Sequence, residues 1–471
     1  MAPALRTLFL SALLFPCSCL LAAQTAPDPE LLAEISKIKM VDDHAHPLVV
    51  RPEGQSDTEW ESLSFQGKQS TGTAVAPEEE LVPFRMRPGS PDLARAWRAL
   101  YGFAPAKVTK ENIGELIQAK ERIQREQGDN YPAWVLDQLG VEVMLSNRMS
   151  MGKGLDAPRF RWVPYADALL FPLDNAGLKK GNPDLRRFYS SLEVVRQRFL
   201  AEQKLKQLPP TLDGYLSQLV APLLQRQKAE GAVAVKFVAG YVRTLDFADV
   251  PEVEARRIYA RYVRGGVPPA EEYKKLQDFL FRRIARECGR VGLLVHIHTG
   301  FGIGSFYNVS GSNPLLLEPV FDDPALCSTT FVIIHGGWPF ARQTAAMLLK
   351  PNVYADFSAI AFLIYPRELS EVIRSWMEVA PQKVMFGTDG FDLGYKFLSW
   401  EEFCWIGADS SRQALALALT GMMNDGEISR AEALRLANQL LRDNAVKLYN
   451  LGPAPQPRGL TVPLSSGSGP G

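Results

Sequence analysis

Only five of the 471 residues are histidine, and two of them, His44 and His46, stand one residue apart in VDDHAHPLVV. Alternate side chains of a β-strand share a face, so both imidazoles point the same way. Two neutral imidazoles converging at a strand end suit a divalent cation. The plainer alternative is a pair of polar residues closing a strand beside a surface loop, and this segment alone leaves the two readings level. The other histidines fall in GLLVHIHTG (His296 and His298) and TFVIIHGG (His335). Lys236 falls in AVAVKFVAG and Asp389 in KVMFGTDG. Each segment is a short apolar run closed by a glycine-containing turn, the pattern of a buried parallel strand. All five histidines therefore sit at the C-terminal ends of expected strands.

The elements that must position these groups follow from the same pattern. Strands are expected at 38–46, 141–147, 161–167, 232–240, 292–300, 330–337, 352–358 and 383–390, separated by helical segments. Strand and helix alternating eight times argue for an α/β fold, a (β/α)8 TIM barrel, whose strand C-termini converge on one mouth. Histidines placed at random would not gather there. The spacing after the first strand is too long for ordinary βα units, which gives an insertion at about 50–135. Within it, residues 50–95 are polar and rich in Gly, Pro and Glu, and read as a long loop or lid. Residues 410–450 read as C-terminal helices. The tail 453–471 cannot bury a core and reads as disordered.

Composition narrows the function classes. Basic and acidic residues balance at 52 each, which argues against a nucleic-acid partner and points to a small-molecule substrate. Residues 1–23 hold one arginine, an apolar run and small residues at the end, the layout of a signal peptide. Export to the periplasm or the extracellular space is expected, with no membrane span left after cleavage. Cys288, Cys327 and Cys404 form no disulfide framework and read as free thiols.

With these segments in hand, the chain resembles the amidohydrolase superfamily. It is most similar to the amidohydrolase-related (family 2) branch, including domains fused to glutamine-synthetase-like proteins. DDHAH resembles the family's strand-one Asp-x-His-x-His and AVKFVAGYVR its strand-four lysine segment. VHIHTGFG, IIHGGWP and VMFGTDG resemble its strand-five histidine, strand-six histidine and strand-eight aspartate. LANQLLRDNAVKLYNL resembles the branch's closing helix. The likeness spans roughly 36–452 and implies a metal-dependent barrel. The implied ligands are His44, His46 and Asp389 for one ion and His298 and His335 for a second, with zinc the expected metal and one or two ions held. Lys236, desolvated at the mouth, can lose its proton and take up CO2. The resemblance implies that the carbamate bridges two ions. The alternative is an ammonium that grips a substrate carboxylate beside a single ion.

The implied reaction uses a metal-bound hydroxide to cleave an amide or ester bond of a small carboxylic acid, with Asp389 as the proton shuttle. Tyr241, Arg243, Trp338 and Arg148 follow strand ends and are candidate substrate contacts. His296 reads as a packed residue, Asp42 as an acceptor orienting an imidazole, and Asp43 as structural, pointing the other way. Two alternatives stay open. One is a decarboxylase or isomerase of the same superfamily, against which Lys236 leans. The other is a non-catalytic exported metal-binding protein. Homo-oligomer formation is also left open.

Overall fold

The computed structural model describes residues 26–52, 54–61, 83–302 and 307–452. The expected signal peptide, residues 62–82 of the insertion and the whole of the C-terminal tail 453–471 lie outside the described residues. Eight strands occur where the apolar runs predict them: β1 Met40–Ala45, β2 Val141–Asn147, β3 Phe160–Val163, β4 Ala234–Phe237, β5 Leu294–His298, β6 Phe331–Ile334, β7 Val353–Asp356 and β8 Val384–Met385. They pair in parallel in the orders β1-β2-β3 and β4-β5-β6-β7-β8.

Backbone hydrogen bonds join the two runs into a closed barrel. Val233 N–H donates to the Trp162 carbonyl (3.0 Å), Lys236 N–H to Pro164 (2.8 Å) and Ala166 N–H to Lys236 (2.9 Å). At the other seam Asp43 N–H donates to Phe386 (3.1 Å), Asp389 N–H to His44 (2.6 Å) and His46 N–H to Gly390 (2.8 Å). Closure leaves no sheet edge to aggregate and places the ends of β1 and β8 side by side.

Side chains alternate across the barrel wall. Val41, Val143, Leu145, Val163, Ala234, Val332, Ile334 and Met385 pack together inside it, with Tyr449 and Leu451 as part of the same cluster. Met40, Met144, Val235, Val295, Phe331 and Val353 face outward into the large core shared with the helices. The register shifts twice along β1. One step from Met40 to Val41 opposes two on β2, Val141 to Val143, and three steps from Asp42 to Ala45 oppose two, Met144 to Ser146. A bulge of this kind re-aims side chains beside a site.

The insertion is more regular than its sequence suggests. Helices at Pro91–Tyr101, Ile113–Gln127 and Tyr131–Leu139 follow the described start of the loop. The expected loop to 95 is thus cut short by a helix that begins at Pro91, with Ser90 accepting from the Asp92 amide as its cap. Cys288, Cys327 and Cys404 are free, as expected. Among the described residues no helix is long and apolar enough to cross a membrane.

Candidate metal centre

The bulge in β1 and the seam with β8 bring three groups together. His44, His46 and Asp389 each offer a ligand atom, and these atoms lie within 4.8 Å of one another. His44 Nε2 is 3.1 Å and His46 Nε2 3.2 Å from the same Asp389 oxygen, Oδ1. Lys236, at the end of β4, puts its Nζ 3.1 Å from His44 Nε2. His335 completes the ring, its Nδ1 3.9 Å from Asp389 Oδ2 and 2.9 Å from the Ser358 hydroxyl. The rings of His298 and His335 are 4.7 Å apart. The structure thus gathers all six candidate ligands around one spot, with the tight triad at its centre.

Backbone conformation marks the same spot. His335 and Asp389 have φ of 67° and 56°, in the left-handed region that costs a residue with a Cβ. Such positions persist where surrounding structure over-determines them, and they cluster at functional sites.

Electrostatics suit a cation. Burial, helped by the nearby Lys236 charge, holds His44 well below the usual imidazole range, and His298 likewise. Burial and then the His298 charge do the same to His335. These imidazoles are neutral at pH 7, the form in which nitrogen donates to a metal. Burial lowers Lys236 to about 8 against the pull of Asp389 and Asp356. Two imidazoles and a carboxylate whose ligand atoms lie within 4.8 Å of one another make a donor set that fits Zn²⁺.

Other site residues lacked an obvious mark in the sequence. Tyr165, just past β3, places its hydroxyl 2.8 Å from His46 Nδ1. Asn147, at the end of β2, lies 2.9 Å from His44 Nδ1. Asp356, at the end of β7, accepts from the His335 amide (2.7 Å). Strand-end position, the signal used for the histidines, would have found Asn147 and Asp356 and brought Tyr165 close. Tyr307, whose hydroxyl is 3.0 Å from His298 Nε2, lies in a loop and had no such signal.

Several expected roles move. Asp42 orients no imidazole. It accepts from the Thr388 amide (2.9 Å), the Thr388 hydroxyl (2.5 Å) and the His44 amide (3.2 Å), fixing the β1–β8 seam through backbone. Asp43 faces inward at the bulge, where Tyr449 donates to it (3.4 Å) and burial with the adjoining Asp356 pushes its carboxyl up. His296 is packed as expected, its Nε2 2.8 Å from the Tyr449 hydroxyl.

A cavity of about 600 Å³ opens above the cluster. Its floor includes His44, His46, Lys236, His298, His335 and Asp389. Its wall comes from the insertion (Trp60, Ile117, Lys120), from Tyr165 and Tyr241, and from the loop after β8 (Phe391, Leu393, Tyr395). Tyr241 is the one candidate substrate contact among the described lining residues, and its ring lies 4.4 Å from that of His298. Arg148 is fully buried and grips Asp57 with both terminal nitrogens (2.8 and 3.0 Å). Arg243 is spent on Asp278 (2.5 Å) and Gln277 (3.1 Å). Trp338 packs against the core. These three hold the scaffold rather than face the cavity.

Comparison with known proteins agrees with this geometry. Residues 225–451 match the amidohydrolase family model Amidohydro_2. Protein fluG of Emericella nidulans is 24% identical over 247 residues, a match covering 50% of this chain and only 27% of that protein. Glucuronate isomerase of Caulobacter crescentus superposes with a TM-score of 0.59 at 15% identity, covering 90% of this chain and 94% of its own. A Lactobacillus casei protein described as a metal-dependent hydrolase gives 0.54 at 16%, covering 89% and 97%. Uronate isomerase of Thermotoga maritima gives 0.53 at 16%, covering 76% and 77%. At such identities the structural likeness is one of fold. The family match takes in β4 to β8 and with them Lys236, His298, His335 and Asp389, so over this C-terminal half the chain is similar to the amidohydrolase family.

Proposed function

We propose that the chain is a hydrolase that cleaves an amide or ester bond of a small carboxylic-acid substrate. The observation that carries this reading is the convergence of His44, His46 and Asp389 at the floor of a cavity. In this reading His44, His46 and Asp389 hold one ion, and His298 and His335 hold a second. A divalent ion here, zinc by the donor set, would lower the pKa of water and polarise a carbonyl. Asp389 takes the proton of the attacking water and passes it to the leaving group. An amine whose pKa falls to about 8 is partly neutral near pH 7 and open to CO2, which supports Lys236 as a carbamate shared by two ions. The exported location read from residues 1–23 belongs to the same proposal, and a mature N-terminus at Gln24 would support it.

Elemental analysis beside hydrolysis of N-acyl amino acids, dipeptides and esters tests the reading. Two ions per chain, falling to one or none in Lys236→Ala, and turnover of an amide or ester are expected. One ion in both proteins would remove the bridge. A fully loaded chain that hydrolyses no member of the panel would overturn the hydrolase reading.

Isomerase chemistry is the second reading. Two of the structurally similar proteins are uronate and glucuronate isomerases, and the tightest cluster here has only the three groups that one ion needs. Interconversion of a sugar acid by the loaded chain, with no hydrolysis, would decide for it.

A further inference from the structure

Tyr165 has one hydroxyl hydrogen and two neighbours that want it. Its oxygen lies 2.8 Å from His46 Nδ1 and 3.1 Å from the Trp60 carbonyl. A carbonyl oxygen can only accept, whereas a neutral imidazole nitrogen can accept or donate. If Tyr165 donated to His46, the Trp60 carbonyl would lose this donor within a buried contact, a costly arrangement. If Tyr165 donates to Trp60, its oxygen accepts from His46 Nδ1–H and all three groups are satisfied.

The partners are held firmly in place. Tyr165 forms a bridge with Lys236 across the β3–β4 seam. The segment carrying Trp60 is pinned upstream, since Arg148 grips Asp57 and Met149 N–H donates to the Glu59 carbonyl (2.6 Å). His46 Nε2 lies 3.2 Å from Asp389 Oδ1, an acceptor that competes for the imidazole proton when no cation stands between them. The order Trp60 carbonyl, Tyr165 hydroxyl, His46 Nδ1–H opposes that competition and leaves the Nε2 lone pair for a cation at the cluster.

We propose that Tyr165 is a positioning residue that fixes His46 as its Nδ1–H tautomer, with the insertion's Trp60 carbonyl setting the direction of the relay. The consequence for zinc rests on the metal reading above. Partners on the far nitrogen of a metal-binding imidazole typically contribute about 10–100-fold in affinity. The relay also gives the insertion a role at the floor, not only in the wall.

The test uses the full chain labelled with ¹⁵N in its histidines, stripped of metal, beside zinc affinity measured by chelator competition. The parent should show His46 as Nδ1–H. Tyr165→Phe should lose that preference and bind zinc roughly 10–100-fold more weakly. Tyr215→Phe removes a buried hydroxyl elsewhere, one that donates to the Leu169 carbonyl, and should leave both readouts at the parental level. A parental His46 protonated on Nε2, or a Tyr165→Phe chain with parental tautomer and affinity, would overturn the proposal. A parent that binds no zinc but shows His46 as Nδ1–H would overturn the metal reading and leave the relay standing.

Discussion

The floor of the cavity and its wall are held by different forces. The floor groups sit on or just beyond strand ends, and barrel closure fixes their backbones before any side chain makes a bond. The wall is assembled from stretches far apart in sequence and stitched by buried ion pairs. Arg148 holds Asp57, and Lys120 holds Glu401 (3.2 Å) and Glu402 (3.1 Å) while Tyr131 donates to Glu401 (2.7 Å). A backbone ladder constrains the floor tightly, whereas a side-chain stitch lets the wall change with few substitutions. Under the proposed function the comparison makes chemistry and substrate choice separable, so changes to floor and wall should give different signatures.

Asp389→Asn should give the largest effect. The amide keeps the shape and one oxygen ligand but cannot act as a base near pH 7. We expect kcat to fall by about 10²-fold or more with most of the metal retained. His44→Ala should lose metal first and activity with it. Metal content and rates measured on the same preparations check both. Parental turnover by Asp389→Asn would strip the floor of its proton shuttle.

Arg148→Ala attacks the wall. It leaves buried Asp57 with only the half-exposed Arg51, 3.6 Å away, and breaking a buried pair costs up to about 3–5 kcal/mol. Burial alone would raise the Asp57 pKa, but the Arg148 bonds and charge outweigh it and hold the carboxyl below the usual range. The pair's stability is therefore present above the ordinary aspartate pKa and is lost as pH falls through the depressed one. Denaturant unfolding should show a lower midpoint for Arg148→Ala near neutral pH, with the difference shrinking in acid. An unchanged midpoint at pH 7 would mean that the ion pair is not what holds the wall.

A third, smaller effect tests the second ion proposed for the floor. Carbamate formation consumes the neutral amine, and burial lowers Lys236 to about 8. The neutral fraction thus climbs from roughly a tenth at pH 7 to roughly nine-tenths at pH 9. Zinc uptake in bicarbonate should rise across this window beyond any rise seen without bicarbonate. Uptake indifferent to bicarbonate at every pH would favour an ammonium and a single ion.

The same contrast explains what the sequence could and could not say. His44, His46, Lys236, His298, His335 and Asp389 were legible because apolar runs mark strands and a barrel sends every strand end to one mouth. Asp42 was misread because the register shift between it and Ala45 breaks the alternation that would have put it on the face of His44, and no local residue announces it. Arg148 was misread because its partner Asp57 lies 91 residues away, inside a segment whose composition suggested only loop. Tyr307 reaches His298 from a loop whose path depends on tertiary contacts. Ladder-built features leave periodic traces, while stitched features depend on pairings that periodicity does not encode.

The smallest expected effect is the most direct check on separability. Ile117 lies on the insertion helix Ile113–Gln127 and lines the cavity, remote in sequence from every floor group. Ile117→Val removes one methylene without adding polarity or charge. A methylene is worth about 0.8 kcal/mol when fully buried, or roughly fourfold in binding. Contact made equally with substrate and transition state changes KM and leaves kcat alone. We therefore expect KM for the best substrate to rise by about fourfold or less, with kcat, metal content and the unfolding midpoint at parental values. A bulkier relative of that substrate should lose less, because the vacated space relieves crowding. If Ile117→Val instead lowered kcat at saturating substrate, the wall would be aligning the reacting bond, and floor and wall would have to be treated as one device.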